Sequence, residues 1–228
     1  NGIPVVAIEL KNQLTGQSVD DAMRQWEYNR NPKEYAFGFN KRVLAYFACD
    51  LYNVYMTTQL NGAETVFLPF NQGSNGAGKD GGAGNPTTED GKYVTSYFWE
   101  NVLQKDKLLD ILQKFISYER SEKKKIMPDG STKTTVSSKV IFPRYHQLDV
   151  VRKLVSHVRE NGAGHNYLIQ HSAGSGKSNS IAWTAYRMAS LHDENNNPIF
   201  DSVIIVTDRR VLDQQLQATV STTHSVVL

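Results

Sequence analysis

The sequence is poor in cysteine and has no long apolar run. Its single cysteine excludes a framework of disulfides and a zinc site built from several cysteines. No segment approaches the roughly 18 to 20 apolar residues that a membrane-spanning helix needs. The first four residues, Asn-Gly-Ile-Pro, lack the charged segment and cleavage site of a secretory signal peptide. We therefore expect a cytoplasmic protein with no membrane partner.

A strong charge of one sign is also missing. The 228 residues carry 25 Lys and Arg against 23 Asp and Glu, and this net charge of +2 is too small to indicate a nucleic-acid partner. Hydrophobic residues make up 39%, which is typical of a globular protein, and the length allows one large domain or two small ones. Apolar residues near both ends, at Val5–Ile8 and Val226–Leu228, suggest a piece of a longer protein.

Four segments of the chain differ in composition. Residues 1–70 alternate apolar and turn-forming stretches. Residues 71–92 hold seven of the chain's 16 glycines together with asparagine, aspartate and other turn-forming residues, which predicts a linker or mobile loop. Residues 93–140 predict a helical connector with one helix over residues 96–121. We expect residues 141–228 to form a second structured region.

The first segment is predicted to form a strand, a helix and a β meander. Ser18 followed by two aspartates is typical of a helix start, and Pro32 should end that helix. The dipeptide Asn61-Gly62 predicts a two-residue hairpin, because a type I′ turn needs positive φ at both central positions. Strands are expected at residues 3–10, 43–48, 54–60 and 64–68.

The last segment alternates between helices and strands. A helix with one apolar face is predicted from Tyr145 to a glycine at position 162. It is followed by a strand at 167–169, a helix at 176–190 and a buried strand at 203–206. A strand, a helix and a strand of these lengths form a βαβ unit with parallel strands. The predicted fold class is therefore α/β.

A loop suited to phosphate lies between the predicted strand and helix. Its two glycines let backbone N–H groups surround phosphate oxygens, its lysine can reach the β and γ phosphates, and the last serine can bind magnesium. The sequence therefore predicts a nucleotide site with Mg²⁺, although a glycine turn with a solvated lysine is the alternative. The loop begins at a histidine where the usual pattern has glycine, and it consists of His171, Ser172, Ala173, Gly174, Ser175, Gly176, Lys177 and Ser178.

Two segments flanking this loop resemble those of superfamily 2 helicases and translocases. The sequence Phe-Pro-Arg-Tyr-His-Gln at residues 142–147 looks like their adenine-recognition segment. Residues 203–216 look like the strand and helix start that contact the DNA backbone in these motors. A tyrosine before a buried helix is more often part of a core, so that alternative stays open. The resemblance implies ATP contacts for Arg144, Tyr145 and Gln147, and DNA contacts for Asp208, Arg209 and Arg210.

Glu9 and Lys11 are two residues apart on the first predicted strand, so both side chains belong to one face. A carboxylate there can bind magnesium, which lowers the pKa of a bound water, and an ammonium group can position that water or stabilise the phosphate. This pattern suits a metal-dependent nuclease. A surface ion pair is the alternative, since the same spacing arises readily by chance.

The order of strand, Glu-x-Lys and helix resembles the second half of the PD-(D/E)xK nuclease core. The resemblance implies that Glu9 and Lys11 are catalytic, with Glu9 a metal ligand, and that Gln25 and Tyr28 on the next helix contribute. Gln25 and Tyr28 are one residue closer than in the Gln-x-x-x-Tyr pattern of some of these nucleases. The metal-binding Asp of that core belongs to a strand upstream, and no Asp precedes Glu9.

The nuclease pattern followed by a motor pattern resembles the motor subunit of type I restriction endonucleases. The resemblance implies a partial PD-(D/E)xK nuclease core in residues 1–70 and the start of a RecA-like parallel-sheet domain in residues 141–228. The implied function is ATP-driven translocation of double-stranded DNA coupled to Mg²⁺-dependent cleavage. The implied partners are methyltransferase and specificity subunits.

Two other readings remain open. In the first, the chain is a superfamily 2 ATPase whose Glu9 and Lys11 form a surface ion pair. In the second, it is a module that binds a nucleotide or phosphate without turnover. No Asp-Glu-x-His-like segment follows Val206, and superfamily 2 motors need such a segment for hydrolysis. We therefore expect this piece alone to bind nucleotide weakly and to lack useful hydrolysis.

Overall fold

The computed structural model of the chain divides into two compact units, residues 1–142 (unit 1) and residues 143–228 (unit 2). Among the residues that it describes, no helix is long and apolar enough to cross a membrane. The described residues are 2–74, 82–88, 91–126 and 131–207, without the side chains of residues 123–126.

Unit 1 contains a four-stranded sheet and a separate two-stranded ribbon. Its strands and α-helices are β1 (Val6–Leu10), α1 (Val19–Tyr28), β2 (Ala45–Cys49), β3 (Val54–Thr57), β4 (Leu68–Pro69), α2 (Lys105–Lys114), β5 (Ser117–Ile126) and β6 (Thr132–Ile141). The sheet order is β1-β2-β3-β4, with β1 parallel to β2 and the other neighbours antiparallel. Parallel neighbours need a crossover connection, and α1 lies within it.

Local sequence explains where α1 begins. The Ser18 hydroxyl accepts a hydrogen bond from the Asp20 amide, and Asp21 accepts one from the Ser18 amide, so the predicted cap is confirmed. Asp50, at the end of β2, accepts a hydrogen bond from the Val19 amide at 2.9 Å. The start of the helix is therefore attached to the sheet.

One face of α1 packs on the sheet. Ala22 and Trp26 are almost fully buried, and the Trp26 ring meets the Tyr46 ring edge-on at 5.3 Å. The Trp26 indole N–H also donates to the Phe47 carbonyl at 2.9 Å. Burying a large apolar side chain contributes roughly 1.5–3 kcal/mol, so Trp26 is a principal anchor of α1.

Unit 1 also has a cluster of four buried phenylalanines whose ring centroids are 4.7–6.4 Å apart. Phe98 comes from a π-helical turn at Phe98–Val102, and Phe142 follows the ribbon directly. The cluster joins these later segments to the sheet. Its members are Phe47, Phe70, Phe98 and Phe142.

The predicted two-residue hairpin at Asn61-Gly62 is wrong. Strands β3 and β4 are antiparallel neighbours, but residues 58–67 connect them. Gly62 has a φ of 56°, whereas Asn61 does not have the positive φ that a type I′ turn requires. Thr65 instead closes the turn, because its hydroxyl accepts from the Asn61 amide and donates to the Gly62 carbonyl.

The predicted helix over residues 96–121 is also wrong. The helical structure ends at Lys114, and Ser117 begins β5, which pairs with β6 along its whole length. The partner strand contains several threonines and valines, which favour strands. Pairing with β6 outweighs the local helical pattern of residues 117–121, and local periodicity does not contain that information.

The described ends of the glycine-rich segment are fastened to the turn between β2 and β3. Asn71 accepts a hydrogen bond from the Val54 amide, and Asn85 accepts one from the Gln72 amide. The Asn85 side chain also donates to the Tyr52 carbonyl at 2.8 Å. These side-chain amides replace the backbone pairing that a strand would supply.

Unit 2 contains helices α3 (Tyr145–Asn161) and α4 (Lys177–Ala189), as predicted. The strands predicted at residues 167–169 and 203–206 are not formed in the described part of the chain. Leu168 is 96% exposed and Ile204 is 82% exposed. Parallel strands are stable when helices cover both faces, and that covering is missing from the described residues. The fold is mixed α/β, and the predicted RecA-like sheet is not confirmed.

Candidate functional site

The segment of residues 171–178, here called the phosphate loop, ends in the first turn of α4. Gly174 and Gly176 have φ values of 70° and 79°, in the left-handed region that side chains disfavour. Gly176 is the N-cap of α4, so the first amides of that helix have no partner within it. Amides at a helix N-terminus attract anions. The backbone geometry therefore suits a phosphate group.

Lys177 lies across this loop. Its ammonium group donates to the His171 carbonyl at 3.3 Å and to the Ser172 carbonyl at 2.9 Å. The side chain is exposed, and Ser178 beside it is half-buried. Phosphate oxygens are also hydrogen-bond acceptors and carry a negative charge, so a bound phosphate can compete with these two carbonyls for the ammonium group.

Gln147 of α3 braces the phosphate loop. Its side-chain amide donates to the Gly176 carbonyl at 2.8 Å and to the Ser175 carbonyl at 3.3 Å, and it accepts from the Arg144 amide at 2.8 Å. A Cβ at Gly176 would lie 2.5 Å from the Gln147 nitrogen. Gly176 is therefore required both for its φ and for this close approach. The amide of Gln147, to which the resemblance assigns adenine reading, is buried against the loop backbone.

His146, which sequence reasoning did not single out, also contacts the loop. Its Nε2 lies 2.9 Å from the Ser175 carbonyl oxygen. A carbonyl only accepts, so Nε2 carries the proton. The rings of His146 and His171 are almost perpendicular, with centroids 4.8 Å apart. The position of His146 between Tyr145 and Gln147 is the only sequence signal that could have identified it.

Burial lowers the pKa of His146, and the nearby charges of His171 and Arg144 lower it further, against the opposing effect of the Ser175 carbonyl. Burial is the main cause that lowers the pKa of His171, and the charge of Lys177 lowers it further. The charge of Asp149 opposes this shift. Both rings therefore favour the neutral form at neutral pH.

Buried polar atoms without a partner concentrate at this loop. Within the described part of the chain, all four side-chain atoms of this kind lie in the loop or in the turns of α3 and α4 beside it. Such groups are rare in folded proteins, and a bound water, an ion or a polar ligand can satisfy them. They are Arg144 Nε, His171 Nδ1, Ser175 Oγ and Ser180 Oγ.

The other residues predicted to bind ATP or DNA are placed as follows. Arg144 precedes α3 and Tyr145 is its first residue, half-buried. Ala173 lies on the exposed side of the phosphate loop. Asp208, Arg209 and Arg210 lie outside the described residues.

A second cluster forms at β1 in unit 1. Lys11 Nζ lies 3.4 Å from a Glu9 carboxylate oxygen and donates to Gln25 at 2.6 Å. Arg30 contacts the other Glu9 oxygen at 3.4 Å, and its guanidinium lies 6.0 Å from the ring centre of Trp26. The side chains of Glu9 and Lys11 are only 16% and 10% exposed. These residues are here called the Glu9–Lys11 cluster.

The structure therefore brings together three of the four residues predicted for a nuclease site. Tyr28 is 70% exposed at the end of α1 and is not part of the cluster. Arg30 was not predicted, because no local pattern connects it to Glu9. No group of three or more carboxylate, imidazole or thiolate side chains suited to a metal ion occurs among the described residues. The cluster supplies a single carboxylate, and Mg²⁺ sites use one or two together with waters and substrate phosphates.

Comparison with known protein families identifies unit 2 more closely. Residues 146–227 match the family model of the SWI2/SNF2 ATPase. This stretch is of the superfamily 2 ATPase type. It begins in α3 and includes the phosphate loop and α4. A family of this type implies ATP use, typically with Mg²⁺. No curated protein and no solved structure matches the chain.

Proposed function

We propose that this chain belongs to an ATP-driven motor that translocates double-stranded DNA and that unit 2 binds its nucleotide. The observation that carries the proposal is the phosphate loop, which has two left-handed glycines, a lysine and a braced backbone within the matched stretch. SNF2-type ATPases act on DNA, which supports the choice of substrate.

The residues from Gly174 to Ser178 then have defined tasks. The amides at Gly174–Gly176 and the first turn of α4 bind phosphate oxygens, and Lys177 neutralises their charge. Ser178 offers a hydroxyl to Mg²⁺. ATP with Mg²⁺, when bound, supplies the phosphoryl-transfer step. Gln147 keeps the loop open by holding two of its carbonyls.

For the remaining positions the proposal rests on the resemblance. Arg144 and Tyr145 would flank the base, since both lie at the start of α3, the helix whose Gln147 contacts the loop. Asp208, Arg209 and Arg210 would contact the DNA backbone. The partners would be methyltransferase and specificity subunits, as in type I restriction endonucleases.

The test of the motor proposal is ATP hydrolysis by the protein that contains this chain, measured with and without duplex DNA. We expect duplex DNA to stimulate hydrolysis and Lys177→Ala to reduce the rate by roughly 10²–10³-fold, the usual cost of removing a charge-stabilising donor. Lys105→Ala, an exposed lysine of α2, is the matched control. Unchanged hydrolysis in Lys177→Ala would refute this role for the loop.

We also propose that the Glu9–Lys11 cluster cleaves DNA. Its support is the β1–α1–β2 arrangement with parallel strands. The side chain of Gln25 on α1 accepts a hydrogen bond from Lys11, and Glu9 lies beside Lys11 on the edge strand β1. In this role Glu9 is the magnesium ligand and Lys11 stabilises the phosphate. Glu9→Gln should abolish DNA cleavage while leaving duplex-stimulated ATP hydrolysis intact.

One observation favours the second candidate, a superfamily 2 ATPase without nuclease activity. The Glu9 carboxylate already contacts two cations, Lys11 and Arg30, as a structural ion pair would. The same variant separates the two candidates. If the Glu9→Gln protein cuts DNA as the unsubstituted protein does, or if neither cuts it, the cluster is structural.

A further inference from the structure

The ribbon of β5 and β6 is longer than the packing beneath it requires. Its ten paired positions run from Ser117 opposite Ile141 to Ile126 opposite Thr132, about 30 Å at the usual rise per residue. Among the ribbon side chains that the structure describes, those of Ser117 and Val140 at the base are buried, and residues 132–137 of β6 are all exposed. The outer half of β6 therefore adds little to the core, and a free two-stranded hairpin is only marginally stable in water.

The charges at the base of the ribbon are paired. Lys139 lies 2.7 Å from Glu119 across the strands, and Arg120 lies 3.5 Å from Glu122 along β5. These pairs are what a solvated ribbon needs for its own stability.

The outer half has a different charge pattern. Its register sets Lys125 directly opposite Lys133, and the alternation of strand residues puts Lys123 on the same face as both. In the sequence from Lys123 to Ser138, four lysines stand against a single aspartate. Like charges directly opposite each other destabilise a strand pair. The lysine pairing therefore works against the ribbon alone and indicates a partner of negative charge.

We propose that the outer half of this ribbon is an arm that binds the phosphate backbone of double-stranded DNA. Lys123, Lys125 and Lys133 lie on the binding face, and Thr135, opposite Lys123, adds a hydroxyl that can donate to phosphate. A two-stranded ribbon has the width that the major groove admits. The choice of DNA rests on the proposed function, whereas the location of the arm rests on the register and the charges.

The test compares binding of a short duplex by the whole chain and by a triple variant, Lys123→Gln/Lys125→Gln/Lys133→Gln, using fluorescence anisotropy across a salt series. Each lysine that contacts a phosphate adds about one to the slope of log K against log salt. We expect the triple variant to bind at least about tenfold more weakly at low salt, with a slope smaller by roughly three.

Two controls keep the result specific. Lys33→Gln/Lys41→Gln/Lys105→Gln removes the same charge from exposed positions elsewhere in unit 1 and should leave the slope nearly unchanged. Replacing the three ribbon lysines by arginine keeps the charge and should preserve binding. The glutamine variant of the ribbon should fold normally, because it removes the repulsion between Lys125 and Lys133.

The outcomes also separate this proposal from the proposed function. If the glutamine variant binds duplex with unchanged affinity and slope, the arm is refuted, while duplex-stimulated ATP hydrolysis in the parent protein would still support the motor. If the ribbon glutamine variant and the Lys33/Lys41/Lys105 control lose binding equally, only net charge matters and the arm is again refuted. If the unsubstituted chain binds no duplex, the arm is refuted whatever the ATPase result.

Discussion

The Glu9–Lys11 cluster of unit 1 and the phosphate loop of unit 2 differ in how their polar groups are paired. In the cluster, Lys11 contacts Glu9 and Gln25, and Glu9 also contacts Arg30. At the loop, four buried polar atoms have no partner among the described residues. The cluster supplies its own counter-charges, whereas the loop leaves hydrogen-bonding capacity for a ligand.

The two sites are also supported differently. Glu9 belongs to a strand whose register with β2 is fixed from Val6 to Leu10. The phosphate loop has no strand pairing on either side among the described residues, and α3 supports it through Gln147 and His146. Disturbing the contacts from α3 should therefore disturb the loop strongly, while disturbing the Glu9–Lys11 cluster should have a smaller, local effect.

The largest effect is expected from Gly176→Ala. An alanine there meets the Gln147 side chain at 2.5 Å and also adopts a φ of 79°, whereas Gly174→Ala meets nothing within 4 Å at a φ of 70°. The left-handed conformation alone costs roughly 1–2 kcal/mol. We expect Gly174→Ala to lose about that much and Gly176→Ala to lose clearly more, as measured by amide hydrogen exchange in α3 and α4.

Removing the obstructing side chain tests the reason. In a Gln147→Ala background, Gly176→Ala should cost no more than Gly174→Ala does in that background, since only the conformational cost remains. Equal losses for the two alanine variants with Gln147 present would show that Gln147 does not brace the loop.

A smaller effect is expected from the ion pair of the cluster. Glu9→Gln and Lys11→Met should each destabilise β1, and the double variant should lose less than the sum, with a coupling of about 1 kcal/mol. Hydrogen exchange of the β1 amides measures this coupling, and Lys33→Met serves as an exposed control. Strict additivity would show that Glu9 and Lys11 do not stabilise each other.

The smallest effect is a pH dependence of unit 2. The folded state lowers the pKa of His146 below its usual value of about 6.5. The unfolded chain therefore binds protons more readily, and stability falls as the pH drops below about 6.5, reaching its full loss below the folded-state pKa. Above that range His146 makes no pH-dependent contribution.

His146→Asn should reduce this loss, measured as the change in hydrogen-exchange protection of α3 and α4 between about pH 7.5 and 5. Part of the loss should remain because the pKa of His171 is lowered as well. Asn166→Ala, at an exposed position in unit 2, changes no titratable group and should leave the pH dependence unchanged. A pH dependence that is the same in all three proteins would exclude His146 as its source.

Sequence alone predicted the parts of the molecule that local patterns determine. Ser18 caps α1 as expected, and α4 begins at the glycines of the phosphate loop, as the sequence predicts. The parts determined by distant contacts were missed. Pairing with β6 turns residues 117–121 into a strand, and the spatial contacts of Arg30 and His146 leave no mark on the local sequence.

The central claim, that the phosphate loop binds a nucleotide through Lys177, is tested most directly by calorimetric titration of MgATP into the 228-residue chain and into its Lys177→Ala variant. We predict measurable binding by the chain and at least a tenfold weaker affinity in the variant, because the variant loses a charged contact to the phosphates. Equal affinities in the two proteins would contradict the claim.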